Sequence, residues 1–155
     1  MHDIPHLVTL LHDPTIKKRR EAAVELGKSG NSSVVSFLGE ALSDPHPGVR
    51  SDIVLSLGRI GDSAAVPYLI ATLGDDEPSV RVAVIAALAR LKDRSAVDAL
   101  ISSLQDKDAG VRAAAAETLG RLGDHRAVGP LRLLWRDIFS DVRESADRAI
   151  IRILK

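Results

Sequence analysis

Residues 44–74 read DPHPGVRSDIVLSLGRIGDSAAVPYLIATLG, and this stretch spells out two helices with a turn on either side. Apolar side chains fall at Val49, Ile53, Val54, Leu57 and Ile60, three or four residues apart, which is the period of one helix face. Gly61 then supplies a residue that can enter the left-handed region and close the helix. Asp62 follows as an N-cap, its carboxylate placed to accept from the free N–H groups of the next helix. Apolar positions resume at Val66, Leu69, Ile70 and Leu73, again at helical spacing. Asp44-Pro45 marks the opposite turn, because proline forces the preceding residue out of helical geometry.

The same pattern returns every 31 residues, at Asp13, Asp44, Asp75, Asp106 and Asp137 and at Arg19, Arg50, Arg81, Arg112 and Arg143. Leu26, Leu57, Leu88, Leu119 and Ile150 keep the same beat. A fixed period of this length means equivalent units stacked so that each touches mainly its neighbours. The cap column reads Asn31, Asp62, Asp93, Asp124, and the closing column Gly30, Gly61, Lys92, Gly123, with the third unit departing from glycine. The grid predicts an all-α fold of ten helices in a single domain: a half unit at 1–12, units at 13–43, 44–74, 75–105 and 106–136, and a half unit at 137–155. One helix type is expected at 3–11, 32–42, 63–73, 94–104 and 125–135, the other at 15–29, 47–60, 78–91, 109–122 and 141–153. Pro5, Pro67 and Pro130 lie near the starts of the first type, so those helices are expected to begin late or to bend.

Composition fits such a stack and narrows the chemistry. Of the 155 residues 45% are hydrophobic but only 3% aromatic, so Ala, Val, Leu and Ile must build an interior in which helices approach closely. The 21 basic and 21 acidic residues cancel, which removes the simplest argument for a nucleic-acid or membrane-surface protein. Without cysteine there is neither disulfide nor thiolate chemistry. The opening Met1-His2-Asp3-Ile4-Pro5 lacks the features of a signal peptide, and no apolar run reaches the ~20 residues of a membrane helix, so a cytoplasmic protein is expected.

The last helix departs from the columns. Asp147 replaces Ala23, Val54, Ile85 and Ala116, and Ile151 replaces Gly27, Gly58, Ala89 and Gly120. A polar outer face is what a terminal unit needs. Trp135 replaces Leu11, Leu42, Leu73 and Leu104 and is expected to fill the last inter-helix gap together with Phe139. Ile151, Ile153 and Leu154 form an apolar strip through which a chain otherwise expected to be a monomer would pair with another copy.

The string V-R-x-x-A-x-x-x-L-G-x-[IL]-G-D-x-x-A-V-x-x-L resembles the short HEAT-like repeat of phycobilisome lyase subunits, and Val111 through Leu131 match it nearly throughout. The first unit departs most, with Lys18 for Val and Asn31 for Asp. The resemblance implies a right-handed α-α superhelix of helical hairpins whose V-R helices line the concave side. It also implies a hydrogen-bonded ladder between successive units, carried here by Asp44, Asp75 and Asp106 with Arg50, Arg81, Arg112 and Arg143. An arginine fork serving two acceptors suits that role.

On that arrangement the outward residues of the V-R helices are the binding candidates. They are Lys17, Arg20, Glu21, Val24 and Lys28, then Ser51, Asp52, Leu55 and Arg59. Val82, Ala83, Ala86 and Arg90 follow, then Ala113, Ala114, Glu117 and Arg121, and finally Glu144, Ser145, Arg148 and Arg152. Leu55, Val82, Ala83 and Ala86 are expected to floor a groove for an apolar or amphipathic partner segment. Lys28, Arg59, Arg90, Arg121 and Arg152 form a basic column, readable as a rim for an acidic or nucleic-acid partner or simply as cations favoured at helix C-termini.

No catalytic constellation is present. His2 and His6 have i,i+4 spacing without a completing carboxylate, and no His-Glu dipeptide, G-x-S-x-G elbow or phosphate loop occurs. The expected function is a non-enzymatic scaffold that binds a protein or peptide on its concave face, without cofactor or metal. The alternatives are acidic-partner or nucleic-acid binding at the basic rim, weakened by the absence of stacking aromatics, and lyase- or chaperone-like action on a tetrapyrrole protein by analogy.

Overall fold

A computed structural model describes residues 3–155, and among them every regular element is helical. The chain divides into two compact units, Met1–Leu91 and Lys92–Lys155. The first carries α1 (Ile4–Leu10), α2 (Ile16–Ser29), α3 (Val35–Glu40), α4 (Pro47–Ile60), α5 (Val66–Thr72) and α6 (Pro78–Leu91). The second carries α7 (Val97–Ser103), α8 (Ala109–Leu122), α9 (Val128–Leu133) and α10 (Ser140–Leu154). His2 lies outside the described residues.

In the first unit the long helices pack in order, α2 on α4 and α4 on α6, with α1, α3 and α5 laid against α2, α4 and α6. Leu26, Leu57 and Leu88 are buried along this row, as are Leu38 and Leu69 on the short helices. Each fully buried leucine contributes about 1.5–3 kcal/mol relative to exposure. In the second unit α8 packs on α10, α7 on α8 and α9 on α10, around Leu100, Leu119 and Leu131. Close helix approach follows from side-chain size at the crossings. A Cβ on Gly27 would stand 2.8 Å from the Ser56 Cα, and one on Gly120 would stand 2.6 Å from the Ala149 Cα. Ser56 uses the proximity of α2 and α4 to donate its hydroxyl to the Ala23 carbonyl at 2.8 Å.

Asn31, Asp62, Asp93 and Asp124 each accept from the N–H two residues on, at 2.8–2.9 Å. Each caps a 3₁₀ turn, at Ser32–Val34, Ser63–Ala65, Arg94–Ala96 and His125–Ala127, and the α-helix proper starts only at the valine that follows. The late start anticipated from proline is therefore general. It occurs in α7, which has Asp98 where α5 has Pro67, so the Asx cap and not the proline sets it. Gly30, Gly61 and Gly123 close their helices with positive φ, and Lys92 takes the same conformation at φ 55°.

The periodic aspartates and arginines do two jobs at once. In the first unit the Arg19 Nε and Nη2 donate to both oxygens of Asp44 at 2.6 and 3.1 Å, while Nη1 donates to the Asp13 carbonyl at 3.0 Å. Arg50 repeats the arrangement with the Asp75 carboxylate at 2.7 and 2.8 Å and the Asp44 carbonyl at 2.9 Å. Arg81, also buried, donates to the Asp75 and Asp76 carbonyls at 2.7 and 3.2 Å. In the second unit Arg112 grips the Asp137 carboxylate at 2.7 and 3.0 Å and the Asp106 carbonyl at 2.8 Å, and Arg143 donates to the Asp137 carbonyl at 2.6 Å. The same carboxylates accept the N–H two residues on, so each aspartate folds its own turn: Asp44 with His46, Asp75 with Glu77, Asp106 with Asp108 and Asp137 with Phe139. Burial alone would push the Asp44 and Asp75 carboxyls up, but the arginine forks and these N–H groups bring them below the ordinary carboxylate value.

The C-terminal helix corrects three expectations. Trp135 does not fill a gap with Phe139. It is 49% exposed, and its indole N–H donates to Asp147 Oδ1 at 2.6 Å, because Asp147 puts an acceptor where other units have an apolar side chain. Phe139 instead lies under the Arg112 guanidinium, 5.9 Å from its ring centroid. Of the anticipated apolar strip Ile153 is buried, leaving Ile151 and Leu154 exposed. Ser145, expected to face outward, is also buried.

Candidate functional site

In the first unit the faces of α2, α4 and α6 turned away from the short helices carry most of the predicted binding residues. Arg20, Leu55, Arg59, Ala86 and Arg90 are exposed, while Val24, Ser51, Asp52, Val82 and Ala83 are half-buried. Leu55 is 57% exposed, a large apolar side chain held out on a rigid helix whose other face is locked by Ile53, Val54 and Leu57. Val82 and Ala83 sit partly below the surface, so Leu55 and Ala86 supply the accessible apolar area.

A groove of about 680 Å³ opens along α2 and is bounded by Ile16, Arg20, Val24, Lys28, His46 and Asp52. Arg20 Nε donates to Asp52 Oδ2 at 2.6 Å, tying α2 to α4, and this bond raises the guanidinium pKa further. The pairing removes Arg20 from the pool of unsatisfied cations. Ile16, 42% exposed, was not anticipated. Its signal is the column in which it stands, otherwise Pro47, Pro78, Ala109 and Ser140.

The basic column is uneven. Lys28 is engaged by Glu25 Oε1 at 2.5 Å, whereas Arg59 and Arg90 are exposed and form no hydrogen bond or ion pair among the described residues. In the second unit Glu117 and Arg121 on α8 are exposed, Ala113 and Ala114 are half-buried, and Arg152 on α10 is exposed. Arg121 and Arg152 are likewise unpaired among the described residues. Elsewhere on the second unit Arg126 joins Asp98 at 2.9 Å and Asp124 at 3.0 Å. Among the described residues no group of histidine, cysteine or carboxylate side chains is arranged to hold a metal ion, and no helix is long and apolar enough to cross a membrane.

Comparison with known proteins places the fold. The HEAT repeats model matches residues 4–80 and 69–151, and the chain belongs to the HEAT repeat family. It is similar over 99% of its length to a chain in the complex of CpcE and CpcF of phycocyanin lyase from Nostoc sp. PCC7120, at 27% identity and a TM-score of 0.81. It spans 65% of that chain. A designed armadillo repeat protein in complex with the peptide (KR)4 matches 95% of this chain and 80% of its own, at 18% identity and a TM-score of 0.68. Human deoxyhypusine hydroxylase matches 98% and 96% of the two chains at 15% identity and a TM-score of 0.57. The last two share the fold alone. No curated protein sequence matches the chain.

Proposed function

We propose that the chain is a non-enzymatic scaffold, its 155 residues working as one repeat domain, that binds a partner protein or peptide on the exposed face of α4 and α6. The observation that carries this reading is Leu55, solvent-exposed on a rigid helix in the same outward row as Ala86, with Arg59 and Arg90 unpaired near the ends of those helices. An apolar projection flanked by unsatisfied guanidinium groups suits a segment that offers an apolar side chain and carboxylates. A repeat surface of this type can take up peptide, as the designed armadillo neighbour does. Selection of a random displayed peptide library on the immobilised protein tests the reading. Recovered peptides should share an apolar position beside acidic ones, and Leu55→Asp together with Arg59→Glu should weaken them about tenfold or more. Peptides whose binding ignores both substitutions would refute it.

The 27% identity to a phycocyanin lyase complex chain over nearly the whole sequence supports a second reading, action on a tetrapyrrole-carrying protein. Titration with free bilin separates the two. A saturable spectral shift favours the second reading, and an unchanged spectrum the first.

A further inference from the structure

Inside the second unit, where α8 packs on α10, a cleft of about 100 Å³ is walled by Glu117 from α8 and by Ser145, Arg148, Ala149 and Arg152 from α10. The register explains why these side chains meet. Arg148 and Arg152 are four residues apart, so they project from one face of α10 on successive turns. Glu117 stands 31 residues before Arg148 in the same outward column. That column is exposed on α4, α6, α8 and α10 alike, as is the one containing Arg152. The accessibility of the three charged groups is therefore a property of the repeat position.

The columns change character at this cleft. Arg148 is basic where Val24, Leu55 and Ala86 are apolar, and Ser145 brings a hydroxyl where Ala83 and Ala114 have none. Ser145 is only 8% exposed; its oxygen accepts from Arg148 Nη2 at 3.4 Å, and its proton meets no acceptor among the described residues. Arg148 is otherwise engaged only by Glu144 at 3.9 Å, in an exposed pair that contributes little. Arg152 and Glu117 form no ion pair or hydrogen bond among the described residues. Two guanidinium groups and a buried hydroxyl thus converge on one small space. Like charges at this spacing repel each other, and an oxyanion between them offsets that repulsion while accepting from all three donors. Glu117 faces the same cleft and selects among oxyanions, because its repulsion grows with the charge the ligand carries. A carboxylate brings one negative charge, whereas a phosphate group brings about −1.5 to −2.

We propose that the cleft between α8 and α10 binds a carboxylate, with Arg148 and Arg152 donating their N–H groups, Ser145 donating its O–H, and Glu117 discriminating against dianions. The carboxylate comes from an acidic side chain or chain terminus of a partner, or from a small carboxylic acid. The site is independent of the face on α4 and α6.

Titration of the whole chain with sodium acetate at fixed ionic strength, followed by NMR through the arginine side-chain N–H signals, tests the proposal. The Arg148 and Arg152 signals should move together and saturate, while that of Arg132, an exposed arginine on α9, should only drift. Ser145→Ala should weaken acetate about threefold and Arg152→Gln about tenfold. Alanine is the residue α6 and α8 carry in the Ser145 column, so that variant keeps its helix. Inorganic phosphate should bind no more tightly than acetate, and should gain more than acetate does from Glu117→Gln. An amidated peptide with one internal glutamate and a free-ended peptide without acidic side chains distinguish the sources. Whichever saturates the same signals at lower concentration carries the group, and if neither improves on acetate the ligand is a small acid. Arg148 and Arg152 signals that drift like Arg132 would mean general screening and overturn the proposal. So would a Ser145→Ala variant that binds acetate like wild type, or a wild type that prefers phosphate.

Discussion

At the residue scale the periodic arginine is a three-way clasp, and its energetics follow from what each nitrogen holds. The Arg50 and Asp75 side chains are only 13% and 7% exposed, so both were largely desolvated when the repeat formed. Arg50→Ala strips the Asp75 carboxylate of two charged donors and also frees the Asp44 carbonyl. Removing one partner of such a pair costs more than the pair contributes, since the remaining charge is stranded. Residual solvent screening keeps the expected loss near about 2 kcal/mol. Urea unfolding of Arg50→Ala, Asp75→Asn and the double variant checks this. The double should lose clearly less than the sum of the singles, with a coupling of about 1 kcal/mol or more. Strict additivity would show that the 31-residue beat records something other than this contact. The ladder expected from sequence left out Arg19 and Asp137, although both stand in its columns and both join the clasp, and it included Arg143, which holds only the Asp137 carbonyl among the described residues. The carbonyl that each Nη1 holds was not legible, because sequence gives no main-chain direction.

At the element scale the decisive quantity is how near two helices can come. Position 120 faces the backbone of α10 across less space than a methyl group requires. Gly120→Ala brings the added carbon to 2.8 Å from the Ala149 Cβ and 2.6 Å from its Cα, a clash that no rotamer relieves. Overpacking of this kind costs about 1–3 kcal/mol, against a gain of up to about 1 kcal/mol in helix propensity from replacing glycine. A net fall in thermal stability is expected, and a Gly129→Ala control, with nothing within 4 Å of the new carbon, should not show it. An increase in stability for Gly120→Ala would mean that α8 and α10 yield at the crossing. Helix positions were readable because the apolar period and the Asp–Gly punctuation are local signals. The 3₁₀ lead-ins at Ser63–Ala65 and its equivalents were missed, since an Asx cap looks the same in sequence whichever helix type follows it. Trp135 was misplaced because its column suggested burial, whereas Asp147, twelve residues later, offered its N–H a surface acceptor.

At the scale of the whole molecule the caps and clasps form one titrating set. Asp13, Asp44, Asp62, Asp75, Asp93, Asp124 and Asp137 all have lowered pKa values. Asp124 reaches about 2, held down first by the Arg126 side chain and then by its N–H. For Asp137 the Arg112 guanidinium leads, and for Asp62 the Ala64 N–H. A carboxyl whose pKa is lower folded than unfolded stabilises the fold above its unfolded value, and that contribution disappears as pH falls through the folded one. Starting from the ordinary 3.8, the window therefore extends down to about 2, and the urea midpoint should be flat above about pH 5 and drop steeply below about pH 4. Net charge offers a rival cause, because protonating the 21 acidic groups leaves the 21 lysines and arginines, joined at that pH by the 5 histidines, repelling each other. Salt separates the two. The Debye length is about 10 Å at 0.1 M and about 3 Å at 1 M, so added salt screens diffuse repulsion far more than donors in direct contact with a carboxylate. If the caps and clasps dominate, the drop below about pH 4 persists in 1 M sodium chloride. If it flattens there, repulsion among the unpaired arginines and lysines is the larger force, and the periodic aspartates serve geometry more than stability.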